Sequence, residues 1–500
     1  MTNDESISTR RTARTGIALA TAFALGAVCA PRASAQVPPR SHWKTLSDAN
    51  AVPLIVNSMS GDTNPFDPSH VVTLAAGVGG TPAPLASGDE PSLGISSGDS
   101  VIPKGTRPCE EPGYWPYTVA SSRYPFLVHY HARNEGAMAD RVVALLETAW
   151  ERQIGRQGYT EPPSDQGWCG PDGKFDVFIW RGINTCQVNI VSERFVMEWG
   201  GRASFMFVDP WGDYGGKYLA QTMAHEFNHA THAANDWYEL PIAFEMSASY
   251  VEQFYDGPAD PKYVQDFQAR ADWALLRNDN YETWYMYGAA LYLNFVRDYY
   301  FKGDDRFLPD LWVAMRNKPD LFVNSPHFVD AMNALLAPHR ETFLDSVVAF
   351  ARWRYFAGSN DDGKHFRRFP ETGTEVTFSR KATLPVPHVM LGTLTHEISP
   401  APMLTGSAYL EVRRKNAAQT SFELSLDIPP APLAKWVVQA VPGLTEGSDG
   451  EIVDLHSGTA RVSFTPKGNR TLILTVVPIS DFDPYHQTDA RYPISVRIAP

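Results

Sequence analysis

The spacing of apolar residues predicts both strands and helices in the first half of the chain. Residues 126–130, 175–180 and 203–208 are short runs rich in β-branched and aromatic side chains, a composition typical of strands. Residues 137–157 instead place apolar side chains three and four positions apart, which predicts an amphipathic helix. The two patterns together indicate an α+β domain that begins near residue 118.

The second half of the chain changes character twice. From about residue 256 to 358 helical spacing dominates, in residues 285–299, 306–315, 326–336 and 341–355. From residue 372 short alternating segments recur between Pro and Gly turns, at residues 408–413, 421–426, 460–464 and 471–476. We therefore expect an α+β domain with a helical C-terminal half over residues 118–358, followed by an all-β sandwich domain over residues 372–500.

The N-terminus has the pattern of an export signal. Three arginines precede an apolar run over residues 16–30, and Ala33-Ser34-Ala35 follows as a cleavage site. The apolar run is shorter than the roughly 20 residues that span a bilayer. We expect residues 1–35 to be a signal peptide cleaved near Ala35, and the protein to be secreted, extracellular or periplasmic. Residues 36–117, rich in Pro, Gly and Ser, are interpreted as a prosegment, a linker or a wrap over the next domain.

The net charge limits the possible partners, and the cysteine content limits the possible disulfides. The formal net charge is −13, and removing residues 1–35 takes away four arginines and two acidic residues, which moves it to −15. An acidic protein of this kind argues against nucleic acid or an anionic membrane as partner. Three cysteines remain after cleavage, Cys109, Cys169 and Cys186, and an exported chain permits one internal pair. Cys169 with Cys186 is the most local pairing, Cys109 joined to either is the alternative, and three buried thiols are a third.

The sequence His225-Glu226-Phe227-Asn228-His229 contains the candidate metal ligands and the candidate general base. It reads H-E-x-x-H within good helix-forming sequence, and residues four apart share one helix face, so both imidazoles reach a single ion. Imidazole nitrogen suits zinc, and a carboxylate beside the ion, here Glu226, suits a general base. The alternative, a surface helix with two unrelated histidines, is the weaker interpretation.

A catalytic zinc normally has three protein ligands, so a third is needed. Pro241 suits the first turn of a second helix, and an antiparallel return would bring Glu245 over the two histidines. Glu252, two turns further on, is the weaker candidate. His232 shares the histidine face but lies a turn too far along, so we place it beside the ligands or on the cleft wall.

At these residues the chain resembles the gluzincins. HEFNHATH at residues 225–232 and FEMSASYVE at residues 244–252 are closest to a family of secreted, mostly uncharacterised bacterial zinc metalloproteases known especially from myxobacteria. Segments at residues 124–130, 158–165, 173–178 and 285–292 fit the same family, so the resemblance covers about residues 118–357. The chain departs from the family pattern at Met246, where the family has Gly, and at His232, where it usually has Gln.

The resemblance implies a zincin-like fold and several roles. His225, His229 and Glu245 would bind Zn²⁺, and Glu226 would act as general base. The edge strand beside the cleft, for which residues 203–208 are the candidate, would hold an extended peptide by main-chain hydrogen bonds. A tyrosine from the helical half, Tyr287 or Tyr285, would face the developing oxyanion, with core packing as the alternative role.

The leading hypothesis is a secreted zinc metalloendopeptidase that acts on protein or peptide substrates. A non-catalytic exported binding protein on a metallopeptidase scaffold is the alternative from another class. A metal-dependent amidase or esterase is a third hypothesis, which the sequence does not separate from the first. The C-terminal β domain is free of clustered chemical groups and is interpreted as a surface- or glycan-contacting module, or as a support for the catalytic domain.

Overall fold

The computed structural model describes residues 72–76, 115–169, 172–181, 186–195, 199–211, 218–255, 261–318, 324–366, 384–430, 433–445 and 448–500. For residues 72–76, 186–187, 189–195 and 261 the backbone is described but the side chains are not. The fold is a mixture of helices and sheets, as the sequence predicts. The proposed signal peptide, most of residues 36–117, and Cys109 lie outside the described residues.

A six-stranded mixed sheet forms the first layer. Its strands are β1 (Val72–Ala76), β2 (Tyr117–Ala120), β3 (Phe126–Tyr130), β4 (Phe175–Ile179), β5 (Cys186–Phe195) and β6 (Arg202–Val208). They lie in the order β1-β5-β6-β4-β3-β2. Strands β3, β4 and β6 run parallel, and the other three pair antiparallel with their neighbours. β4 and β6 are buried along their whole length, which explains their nearly continuous apolar sequences.

One strand prediction is wrong. Residues 203–208 do form a strand, but β6 lies inside the sheet between β4 and β5 and is not at its edge. The sequence indicates neither β5 nor β1, and these two strands separate β6 from the edge of the sheet. An extended ligand therefore has no free edge of β6 on which to pair.

Helices pack against this sheet and continue into the second half. They are α1 (Gly136–Trp150), α2 (Leu219–Ala233), α3 (Pro241–Glu252), α4 (Pro261–Ala269), α5 (Tyr285–Gly288), α6 (Ala290–Tyr299), α7 (Phe307–Ala314), α8 (Phe328–Leu336) and α9 (Phe343–Tyr355). A π-helical segment, Glu151–Gln157, extends α1. The helix predicted over residues 285–299 is two helices, α5 and α6, and α4 is an element that the sequence pattern misses.

The pair α2 and α3 is central to the molecule. α2 packs against β5 and β6 on one side and against α3 on the other, so nearly all of its residues are buried. Leu240 is extended and Pro241 occupies the first turn of α3, where its missing N–H has no helical partner to lose. The short connection returns α3 antiparallel to α2, as the sequence predicts.

The C-terminal region contains two sheets that face one another. Strands β7 (His388–Met390), β8 (Leu394–Glu397), β9 (Ser407–Arg413), β10 (Ser421–Asp427), β11 (Ala434–Val441), β12 (Glu451–Ile452), β13 (Thr459–Ser463), β14 (Asn469–Pro478) and β15 (Ser495–Ala499) form them. One sheet has the order β13-β10-β15-β8 and the other β12-β11-β14-β9-β7. Apolar residues from both sheets share one core, among them Leu410, Phe422 and Leu472.

The sandwich packs directly on the helical half. The hydroxyl of Tyr409 on β9 donates to the carbonyl of Ala351 on α9 at 2.7 Å, and Gln439 Nε2 on β11 donates to the carbonyl of Val348 at 2.9 Å. These contacts attach the larger sheet to α9 along its outer face. The smaller sheet lies on the far side of the shared core.

Two further sequence expectations concern export and disulfides. Among the described residues no helix is long and apolar enough to cross a membrane. Cys169 is fully buried and disulfide-bonded. The alternative in which all three cysteines are buried thiols is therefore wrong. The sequence offers Cys109 and Cys186 as its partner, and the side chains of both lie outside the described part of the structure.

Candidate metal centre

His225 and His229 lie on one face of α2, one turn apart. Their ring centroids are 4.7 Å apart, and both side chains are fully buried. The helix is held in place from the π-helical segment, where Gln153 Nε2 donates to the carbonyl of Ala224 at 2.8 Å. Asn228 Nδ2 donates to Gln153 Oε1 at 2.9 Å. These bonds fix the rotation of α2, and with it the direction of both imidazoles.

Glu245 on α3 completes the group. Its Oε2 lies 3.2 Å from His225 Nε2 and 3.7 Å from His229 Nε2. One possible ligand atom from each of the three residues lies within 4.8 Å of the other two, and all three residues are buried. Two imidazoles and a carboxylate therefore converge on one point, which is the ligand set that the sequence predicts.

Glu252 has a different position from the one that a third ligand would need. Its Oε1 lies 2.6 Å from Nδ1 of His225, the nitrogen that faces away from Glu245. A carboxylate at Nδ1 keeps the proton there and leaves the Nε2 lone pair directed at the site. Glu252 thus orients His225, and of the two acidic candidates it is Glu245 that joins the ligand group.

The pKa values of the two histidines are shifted in opposite directions. Burial lowers the pKa of His225, but its hydrogen bonds to Glu245 and Glu252 outweigh burial and raise that pKa to about 10. His229 has no such partner, and burial together with the charge of His225 holds its pKa well below the usual value. The two ring nitrogens of His229 and the Oε1 atom of Glu245 have no hydrogen-bond partner among the described residues. Buried polar atoms of this kind are costly unless something binds them.

Glu226 is fully buried beside the three convergent residues. Neither of its carboxylate oxygens has a hydrogen-bond partner within the described part of the chain. Burial raises the pKa of Glu226 well above its usual value, the charge of His225 opposes this, and the charges of Glu245 and Glu252 add to it. The backbone N–H of Val188 on β5 acts in the opposite direction and lowers that pKa. A carboxylate with raised proton affinity and free lone pairs is suited to accept a proton.

The two predicted tyrosines have different environments. The ring of Tyr287 on α5 stacks on His225 with centroids 6.1 Å apart, and its buried hydroxyl has no partner among the described residues. Burial raises the pKa of Tyr287, and the charges of Glu245 and Glu226 add to this. The hydroxyl of Tyr285 instead donates to the carbonyl of Ala274 at 2.9 Å. Tyr287 lies at the centre, whereas Tyr285 is a core residue.

Close packing explains how Tyr287 reaches the site. At Gly288, the next residue, a Cβ atom would lie 2.1 Å from the carbonyl oxygen of Tyr263 on α4. Only glycine allows α5 to approach α4 this closely. The approach packs Tyr263 against Tyr287 with ring centroids 5.2 Å apart and the planes tilted by 31°, and the Tyr287 ring also stacks on His225.

Tyr281 is a residue of the centre that the sequence pattern does not indicate. Its hydroxyl is buried and has no hydrogen bond of ordinary geometry among the described residues. It faces Glu245 and lowers the pKa of that carboxyl group, against the larger effect of burial, which raises it. The backbone φ of Tyr281 is +62°, a conformation that a bulky residue rarely adopts. Asp279 maintains it by accepting from the backbone N–H groups of Tyr281 at 3.2 Å and Thr283 at 3.1 Å. Strained conformations of this kind cluster at functional sites.

His232 lies beside the ligands and is not one of them. Its ring stacks on Trp312 at 3.9 Å between centroids, and its centroid is 5.7 Å from that of His229. It is fully buried, and burial together with the charge of His225 keeps its pKa well below the usual value. The position agrees with the sequence prediction. Met246, the other departure from the family pattern, is buried in the apolar core.

The comparisons with known proteins do not place this chain in a class or a family. No protein-family model matches it, and no curated protein matches it.

Proposed function

We propose that the protein is a zinc-dependent endopeptidase of the gluzincin type. The observation that carries the proposal is the convergence of His225, His229 and Glu245 around one point, with the free carboxylate of Glu226 beside them. The mixed sheet behind α2 and the antiparallel return of α3 are compatible with a zincin-like catalytic domain. The resemblance of residues 225–232 and 244–252 to secreted bacterial metalloproteases supports the same proposal.

The donor set fits zinc better than magnesium or calcium. Two imidazole nitrogens and one carboxylate are the three protein ligands of several catalytic zinc sites, whereas magnesium and calcium prefer oxygen donors. The unpartnered Nε2 of His229, which lies 3.7 Å from Oε2 of Glu245, and the unpartnered Oε1 of Glu245 are atoms that an ion would satisfy. When bound, zinc would supply a Lewis acid that polarises a carbonyl group and acidifies a water molecule.

The side chains around this site divide the remaining work. One of the two free oxygens of Glu226 would take a proton from the attacking water, and the same carboxyl group would deliver it to the leaving amine nitrogen. Glu252 holds the proton on Nδ1 of His225, which fixes the tautomer through the reaction. Tyr281 positions Glu245, and the hydroxyl of Tyr287 would donate a hydrogen bond to the oxygen on which negative charge develops.

The experiment that tests the proposal is hydrolysis of an unfolded protein such as casein before and after removal of the metal. An amidase or esterase that uses the same centre would cleave small amides or esters and leave casein intact. A binding protein on this scaffold would leave all of them intact. The expected result is metal-dependent cleavage of casein.

The role of Tyr287 leads to a separate prediction. Tyr287→Phe should lower kcat by roughly 10²-fold, as loss of an oxyanion donor does, with zinc content and KM nearly unchanged. Tyr285→Phe is the matched control, because its hydroxyl donates to the backbone carbonyls of Ala274 and Trp273 and its loss should leave kcat within about twofold. Steady-state kinetics on a quenched fluorescent peptide separate kcat from KM. Equal kcat values for the two variants would remove Tyr287 from the mechanism.

A further inference from the structure

A pocket with strong positive charge lies at one end of the sandwich, in a chain whose net charge is −13. It has a volume of about 450 Å³, within the usual range for small-ligand sites. Its charged lining residues are Glu411, Arg413, Arg414, Lys415 and Lys467, and we call these five the basic pocket. Four cations thus face one acid, and the pocket lies apart from the metal-binding residues in the fold.

Strand pairing creates the pocket. β9 ends at Arg413, and its register places Arg413 opposite Asn469, the first residue of β14. Arg414 and Lys415 follow β9, while Lys467 precedes β14, so the antiparallel pair brings three further cations to the same end of the sheet. The concentration of charge is therefore a property of the fold as well as of the sequence.

Most of this charge is uncompensated. Arg413 pairs with Glu411, which neutralises the acid. Arg414, Lys415 and Lys467 have no acidic partner among the described residues. Like charges held together without counter-charges repel each other, and a bound anion relieves that repulsion.

The geometry of the pocket is held rigidly by backbone contacts. Arg414 Nη2 donates to the carbonyl of Pro466 at 3.0 Å, and its backbone N–H donates to the carbonyl of Gly468 at 3.0 Å. Gly468 has a φ of +84°, and a Cβ atom there would lie 2.5 Å from Nε of Arg414. Gln419 Oε1 accepts from the backbone N–H of Lys415 at 2.8 Å and fixes the turn that carries this lysine. A site prepared in this way loses less entropy on binding.

We propose that the basic pocket binds the sulfate or phosphate ester groups of an anionic polysaccharide. The positive charge of the Arg414 guanidinium beside two ammonium groups suits a multiply charged tetrahedral oxyanion. Met390, which is 45% exposed on the rim, offers an apolar contact for a sugar ring. The site would attach the protein to a charged matrix.

The test is binding of the full mature chain to immobilised dextran sulfate, with uncharged dextran as the blank. Wild type should bind dextran sulfate and release it as salt is raised. Lys415→Ala with Lys467→Ala should weaken binding by roughly thirtyfold, about fivefold for each cation. Lys435→Ala with Arg461→Ala removes the same charge from exposed positions elsewhere in the sandwich and should change the affinity less than about twofold.

Two further measurements make the outcome decisive. Gly468→Ala keeps every charge but displaces Arg414, so it should also weaken binding, and a thermal melt checks that the variant folds. Inorganic sulfate and a single-stranded oligonucleotide serve as competitors at equal charge concentration. Equal weakening by the pocket and control pairs, or no binding to dextran sulfate, would overturn the proposal. Each competitor is compared with free dextran sulfate. If inorganic sulfate or the oligonucleotide displaces the protein from the matrix as effectively as free dextran sulfate does, the polysaccharide assignment is overturned. Glu226→Gln should bind dextran sulfate like wild type, so the result does not depend on the proposed peptidase activity.

Discussion

Replacing Glu226 with glutamine is expected to lower kcat on an unfolded protein substrate by roughly 10²–10⁴-fold, the usual contribution of a general base. Glutamine has nearly the same volume but cannot accept the proton of the attacking water. Because Glu226 is not among the three converging ligands, the variant should retain its metal. The measurements are casein hydrolysis and metal content by elemental analysis on the same preparation.

Stability provides an internal check on this variant. Glu226 is a buried carboxylate without hydrogen-bond partners among the described residues, so its charge costs folding free energy. Removing that charge should leave the free energy of unfolding unchanged or raise it. Glu423→Gln, an exposed acid on β10, is the matched control and should alter neither activity nor stability. Equal casein hydrolysis by wild type and Glu226→Gln would exclude Glu226 as the base.

Replacing Glu245 with glutamine should produce the largest loss of metal. The carboxylate oxygen of Glu245 lies 3.2 Å and 3.7 Å from the Nε2 atoms of the two histidines, and glutamine removes its negative charge from that point. Glu252→Gln is the matched comparison, because Glu252 contacts only the outer nitrogen of His225. Loss of such an orienting contact typically weakens metal affinity by about 10–100-fold, and Glu245→Gln should exceed that clearly.

Competition with a fluorescent zinc chelator measures both dissociation constants. Each variant should remain folded, since both side chains are replaced by neutral groups of equal size. The reverse order, with Glu252→Gln the more damaging, would show that Glu252 is the third ligand. Equal affinity for wild type and Glu245→Gln would show that the ion binds elsewhere.

The ligand set could be predicted from the sequence because it depends on local geometry. Helical periodicity alone places His225 and His229 on one face, and a short connection ending at Pro241 returns α3 to that face. The position of Glu252 depends on the rotation of α3 about its own axis, which tertiary packing fixes. Its contact with Nδ1 of His225 therefore appears only in the structure.

Elements that depend on distant contacts were harder to predict. β5 lies between β1 and β6, and without it the sequence pattern placed β6 at the edge of the sheet. Tyr281 reaches Glu245 from a turn whose unusual backbone is stabilised by Asp279, and no periodic pattern marks such a residue. The basic pocket likewise forms because β9 and β14 pair, which brings Lys467 to three cations that lie more than fifty residues earlier in the chain.

The central claim is that the convergent group binds a metal on which peptide hydrolysis depends. The most direct test is to strip the mature protein with a chelator, add back zinc in steps, and follow both bound zinc and casein hydrolysis. We predict that the stripped protein is inactive and that activity returns in proportion to zinc, reaching its maximum at one ion for each chain. Casein hydrolysis that survives complete removal of metal, or full zinc binding without any hydrolysis, would contradict the account.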